Sequence, residues 1–162
     1  MQSVLRNCYK NSWYVKRKPE PRKKRGCQEE AAFLTLLRVT DRLSRGLTRV
    51  LKTEDLSLTQ YNVLRILRGA PEGLSCGDIG RRMITRDPDI TRLLDRLERR
   101  RLISRCRESC DRRTVLTRIT GEGLDVLARL DGPVHHAHRK QLGQLGKQRL
   151  DQLTEILCGV EG

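Results

Sequence analysis

The side chains able to do chemistry in this sequence are cysteines, histidines and, far more numerous, arginines. Cys106 and Cys110 are followed by His135, His136 and His138, loosely like a Cys/His zinc pattern. The interval from Cys110 to His135 far exceeds the roughly 12 residues between the ligand pairs of a C2H2 finger and crosses a predicted helix. These histidines are therefore expected to be incidental, with no metal and no other cofactor. A redox switch needs an activated thiol. The candidates are Cys27, at the start of a predicted helix, and Cys106, between Arg105 and Arg107, against the plainer reading of reduced structural cysteines. The sequence carries no nucleophile elbow, P-loop, HExxH or carboxylate pair in a helical frame, so it reads as a binding protein rather than an enzyme.

The arginines point to a polyanion. Lys and Arg number 34 against 20 Asp and Glu, a formal net charge of +14, and such a surface attracts phosphates over a Debye length. Beyond the N-terminus Arg dominates Lys, and its planar fork grips phosphate or guanine bidentately. Residues Met1 to Gly26 hold nine basic side chains against one acid, with Pro19 and Pro21. Residues 1–27 are accordingly expected to be a disordered basic arm, either a solvated tail without a specific role or one touching phosphates without regard to sequence. Tyr9, Trp13 and Tyr14 are placed to stack on bases there. Six cysteines without paired spacing, and no secretory apolar region, suggest reduced thiols and a cytoplasmic protein. No apolar run approaches membrane-spanning length, so no membrane partner is expected.

The elements that must position these side chains are mostly helices. Aromatics make up only 3% of the 162 residues, so leucines must fill the core, which favours packed helices. The helical period predicts a long helix over 28–51, part of whose apolar face a second subunit would cover, and another over 58–68, after a break at Asp55 to Ser57. Ser75 is placed to cap a short third helix through Ile79 and Met83, with Asp78 as an acidic variant of the capping box. A turn at Thr85 to Asp87 follows, with Asp87 as cap and Pro88 in the first turn of a fourth helix. There Ile90, Leu93, Leu94 and Leu97 form one buried stripe, leaving Thr91, Arg92, Asp95, Arg96, Arg99 and Arg100 on the other faces. A short helix, a turn and an Arg-faced helix make a helix-turn-helix.

Alternation over 102–106 and 114–119 then predicts a β-hairpin, a wing from which Arg105, Arg107, Arg112 and Arg113 project toward a minor groove. Thr120 is placed to cap a fifth helix carrying Leu124, Leu127 and Leu130, which Pro133 kinks or interrupts. A last leucine-rich helix follows Gly143 and Gly146. The expected fold is mostly α with a small β-hairpin wing.

With helix-turn-helix and wing in place, the chain resembles the MarR-type winged-helix transcriptional regulators over about Gln28 to Leu157. The likeness rests on LTQYNVLRIL (58–67), ITRLLDRLERRRLISR (90–105) and, most specifically, DRRTVLTRITGEG (111–123). HHAHRKQLGQLG (135–146) also resembles a dimerisation segment of that family. The resemblance implies a single domain over 28–162: a winged helix-turn-helix at 55–120 and dimerisation helices at 28–54 and 121–158. It implies a homodimer on a palindromic double-stranded DNA operator, with half-sites about one helical turn apart, acting as a repressor relieved by a small-molecule effector.

Carried over residue by residue, Thr85, Arg86, Pro88, Asp89, Thr91 and Arg92 open the recognition helix and meet bases and phosphates, with Arg96, Arg105 and Arg112 as further DNA contacts. Arg113 enters or flanks the minor groove, braced by Asp111. One departure has an energetic consequence. Where the family has Gly after the recognition helix this chain has Arg101, and a left-handed backbone there costs about 1 kcal/mol. The alternatives are a basic protein coating nucleic acid regardless of sequence, and a thiol-based redox-sensing regulator.

Overall fold

A computed structural model describes residues 27–85, 88–107 and 115–161. It divides into two units, Met1–Leu36 and Leu37–Gly162. In the first unit, residues 28–36 form the exposed opening of helix α1 (Gln28–Leu51), whose first turn carries Glu29 and Glu30, the charge a helix N-terminus favours.

The second unit holds the rest of α1 and a core built largely from leucines. A 3-10 turn, Lys52–Glu54, ends at Asp55, which is left-handed at φ 51°. Helix α2 (Leu58–Arg68) starts on a reciprocal cap: Ser57 Oγ accepts the Gln60 N–H at 3.1 Å, and Gln60 Oε1 accepts the Ser57 N–H at 2.9 Å. Two orphan donors of the helix end are thereby satisfied. Strand β1 (Leu74–Ser75) leads into α3 (Cys76–Arg82), with the Asp78 N–H donating to Ser75 Oγ at 3.1 Å. Rather than reaching back to the main chain, the Asp78 carboxylate accepts from the Ser75 hydroxyl.

Helix α4 (Ile90–Arg99) is capped by Asp89, whose carboxylate accepts the Arg92 N–H at 3.3 Å. This corrects the sequence expectation. Pro88 and Asp89 precede the helix instead of opening it, and the cap falls two residues beyond Asp87, which lies outside the described residues. Strands β2 (Ile103–Arg107) and β3 (Val115–Ile119) pair antiparallel with Arg105 opposite Thr117. The sheet has three strands in the order β1-β3-β2, because Leu74 pairs with Thr117 and Ser75 with Leu116. A two-residue strand is too short for alternation to reveal, so the expected hairpin lacks its third member.

Helix α5 (Gly121–Leu142) begins at Thr120, which accepts the Gly123 N–H at 3.1 Å. Gly123 is required: a Cβ there would lie 2.3 Å from the Leu102 carbonyl oxygen. Pro133 does not interrupt the helix, which continues nine residues beyond it. A 3-10 turn, Gly143–Leu145, leads to α6 (Gly146–Glu161).

The core runs through α1, α2, α3, α4, the sheet and α5, with Leu51, Leu64, Leu67, Ile79, Leu97 and Leu127 fully buried. Close-packed side chains of this kind fix the backbone beneath α4. Outside that core, Phe33, Leu36 and Leu37 of α1 and Ile156 and Val160 of α6 are exposed. Among the described residues, no helix is long and apolar enough to cross a membrane.

Candidate nucleic-acid interface

Helix α4 is split lengthwise. Leu93, Leu94 and Leu97 are buried and Ile90 packs beside them, while Thr91, Arg92, Arg96 and Arg99 stand exposed. Three of the four arginines of the pattern, Arg92, Arg96 and Arg99, are therefore turned to solvent because the leucines anchor the opposite side. At the N-terminal end, Arg92 Nε lies 3.1 Å from Asp89 Oδ2, so the cap also tethers this guanidinium. Thr85 and Pro88 are exposed on the approach to the helix. The turn before them is fixed to α2 through the Ile84 N–H, which donates to Asn62 Oδ1 at 3.1 Å.

The structure thus gathers Thr85, Pro88, Asp89, Thr91 and Arg92 at one end of α4, with Arg96 one turn further on. Arg86 lies outside the described residues, as do Cys110, Asp111, Arg112 and Arg113 of the wing and the arm before Cys27.

Arg105 is placed differently from the sequence expectation. It does not project from the hairpin but turns back onto α4, pairing with Asp95 and lying 3.4 Å from Glu98. Its side chain is 22% exposed, against 77% for Arg92. Two carboxylates one helical turn apart on α4 offer the guanidinium a better local partner than water, which draws it inward. Arg105 therefore braces β2 against α4. On the far strand, Arg118 Nε donates to the Glu72 carbonyl at 2.9 Å, fixing β3 to the loop before β1.

Sequence spacing missed a second brace altogether. Arg100 donates to the main-chain carbonyls of Asp55 and of Glu54, the latter at 2.8 Å, joining the end of α4 to the junction between α1 and α2. Arg129 of α5 grips the Glu54 carboxylate bidentately, both contacts at 2.8 Å. That guanidinium holds the Glu54 carboxyl below its ordinary value. Partners 46 and 75 residues apart leave no periodic trace in a single sequence. Arg101, next to this brace, is left-handed at φ 57°, so the cost attached to a side chain in place of the family's glycine applies here.

The candidate thiols lie in ordinary polar surroundings. Cys27 is exposed and its Sγ accepts the Glu30 N–H at 3.4 Å, which is a capping contact. Cys106 is exposed, with Arg118 Nη1 donating to its sulfur at 3.8 Å. His135, His136 and His138 are exposed along α5. Among the described residues no three His, Cys, Asp or Glu side chains are grouped as metal ligands would be.

Known proteins place this geometry. A model of the MarR family matches residues 54–114. The HTH-type transcriptional regulator PecS of Dickeya dadantii is 30% identical over 129 residues, covering 78% of each chain. Among solved structures, the transcriptional repressor CouR bound to a 23-mer DNA duplex is 26% identical, with a TM-score of 0.74 over 86% of this chain and all of CouR. The PcaV transcriptional regulator of Streptomyces coelicolor, in complex with its natural ligand, is 28% identical, with a TM-score of 0.65 over 76% of this chain and 89% of PcaV.

Proposed function

The chain belongs to the MarR family, and we propose that it is a cytoplasmic, homodimeric transcriptional repressor that binds double-stranded DNA by sequence and responds to a small-molecule effector. The observation carrying this reading is the division of α4, where the leucines on one side leave Thr91, Arg92 and Arg96 exposed on the other. A helix faced in this way fits a major groove, where Arg reads guanine bidentately. That a relative of the same fold was solved on a DNA duplex, and another with its ligand, supports both halves of the proposal.

In this reading Thr85, Arg86, Pro88, Asp89, Thr91, Arg92 and Arg96 meet bases and phosphates at the start of α4. Arg112 and Arg113 of the wing, with Asp111 as brace, meet the flanking minor groove. Arg105 serves as the strut that holds the wing beside the helix. The basic arm adds sequence-independent phosphate contacts. The exposed apolar side chains of α1 and of α6 are the surfaces a second copy covers, since isolated apolar patches of this kind mark interaction sites.

Selection of bound duplexes from a random pool tests the reading. A palindromic sequence should emerge, bound far more tightly than its scrambled version, by a species with twice the chain mass in light scattering. Equal affinity for selected and scrambled duplexes would reject regulation by sequence in favour of a nucleic-acid coat.

A further inference from the structure

Among the described residues, Ile84 is the most exposed of the large apolar side chains, at 88%. The others that are more than half exposed, Phe33, Leu37, Ile156 and Val160, all belong to α1 or α6. Ile84 lies instead in the turn between α3 and α4, outside the surfaces proposed for a second copy.

A lone surface isoleucine is ordinary by itself. What distinguishes Ile84 is how firmly its backbone is held. Just before it, Met83 ends α3 in an extended conformation, φ −69° and ψ 136°, with its N–H donating to the Ile79 carbonyl at 3.1 Å. The Met83 side chain is buried in the core. Successive side chains of extended backbone point to opposite sides, so seating Met83 inward turns Ile84 outward. The Ile84 N–H then donates to Asn62 Oδ1 of α2 at 3.1 Å. A β-branched side chain has few χ1 choices, so the turn displays a stiff apolar knob in a set direction.

The neighbours of the knob select its partner. Arg81 and Arg82 precede it, Thr85, Pro88, Asp89 and Arg92 follow, and all are exposed, so Ile84 is an apolar point within the polar approach to α4. That approach is the part given to DNA in the repressor reading above, on which this inference rests. An isoleucine has no donor for a phosphate oxygen, and phosphate contacts come from charged and polar groups. The apolar feature that a duplex presents at its base edges in the major groove is the 5-methyl group of thymine.

We infer that Ile84 packs on the 5-methyl group of a thymine in each half-site and makes the chain selective for thymine at that position. The contact needs little further ordering, because Met83 and Asn62 already fix the turn.

Replacing thymine by deoxyuridine removes this methyl group and leaves the hydrogen-bonding edge of the base intact. Each thymine of the selected duplex is replaced in turn, symmetrically in both half-sites, and the affinity of the full chain is measured by fluorescence anisotropy at one salt concentration. At one position the replacement should weaken binding roughly fifteenfold, about fourfold for each buried methyl group. Ile84→Ala, at an exposed site, should keep the parent's urea midpoint and bind the thymine duplex more weakly. Its response to deoxyuridine at that position should shrink to about twofold or less, because the two changes remove the same contact.

A duplex bound by sequence, in which every deoxyuridine effect is the same for the parent and for Ile84→Ala, would overturn the inference and leave the repressor reading standing. So would an equal loss by Ile84→Ala on selected and scrambled duplexes, the mark of a contact with the sugar-phosphate backbone. A lower mass of Ile84→Ala in light scattering would overturn it too, by assigning the side chain to contact between copies. Failure to select any duplex would overturn both the inference and the repressor reading.

Discussion

The head of the molecule, α2 to α4 with the sheet, and its terminal helices α1 and α6 treat their apolar side chains in opposite ways. Around α4 the leucines are hidden: Leu64, Leu94, Leu97 and Leu127 have almost no exposed surface. The polar ends of the head are tied by Arg100 and Arg105. In the opening half of α1 and in α6 large apolar side chains are exposed instead, Phe33 to 59% and Ile156 to 65%, whereas the end of α1 joins the core through Leu51. Burying an apolar side chain stabilises by roughly 1.5–3 kcal/mol, so surface left uncovered in one chain is where a second chain gains most. The lesson is a division of labour: around α4 the described residues bury their leucines within one chain, and the proposed second copy has its apolar surface to cover on the terminal helices.

The largest expected effect breaks this comparison most sharply. Leu97→Ala, at a fully buried site, should destabilise the protein by about 2–5 kcal/mol at every protein concentration, as measured by urea unfolding. Ile156→Asp should leave that concentration-independent part alone and lower only the part that depends on dilution. Equal behaviour of the two variants on dilution would erase the distinction between head and terminal helices.

Next in size is the brace under the wing. Arg105→Ala leaves Asp95 and Glu98 without their cation, a loss of about 1–3 kcal/mol in unfolding free energy. If Arg105 is a strut, the slope of operator affinity against salt should hardly change, since no phosphate contact is removed. A slope lowered by about one unit would return Arg105 to the set of phosphate contacts.

Smaller still is Arg101→Gly. At φ 57°, the substitution relieves a left-handed side chain and should stabilise by about 1 kcal/mol, a rise in urea midpoint with unchanged slope. A fall in the midpoint would show that the Arg101 side chain makes a contact worth more than its backbone strain.

The smallest effect is electrostatic. The bidentate hydrogen bonds from Arg129 hold the folded Glu54 carboxyl below its ordinary value. Its contribution is therefore present above the unfolded carboxylate pKa and lost as pH falls through the lower, folded one. Arg129→Gln should be less stable than the parent at neutral pH, and the gap should close in acid. A gap that persists below the titration of Glu54 would assign the effect to packing of the Arg129 stem instead.

Most of the head was legible because its signals are local. The period of three and four gives α1 and α2 with their observed ends, and the stripe from Ile90 to Leu97 gives the buried side of α4. Arg101 stood out only through the resemblance to a family that has a glycine there, and its left-handed backbone came from the structure. What sequence spacing could not show were choices between partners. Asp87 and Asp89 both suit a helix cap, and only the observed geometry selects Asp89. Arg105 follows the alternation that sends side chains out of a hairpin, yet Asp95 and Glu98 draw it back. Pro133 reads as a breaker, but neighbouring packing at Leu130 and Val134 carries α5 through it. Strand β1 and the Arg100 and Arg129 braces depend on pairings distant in the chain.

The central claim is that the exposed side of α4 reads bases while its buried side only anchors the helix. Its most direct test is the affinity of Arg92→Ala for the selected duplex and for a scrambled one, measured at one fixed salt concentration. The account predicts a loss of about 1–3 kcal/mol on the selected duplex and a much smaller loss on the scrambled one. An equal loss on both duplexes, or none on either, would contradict it.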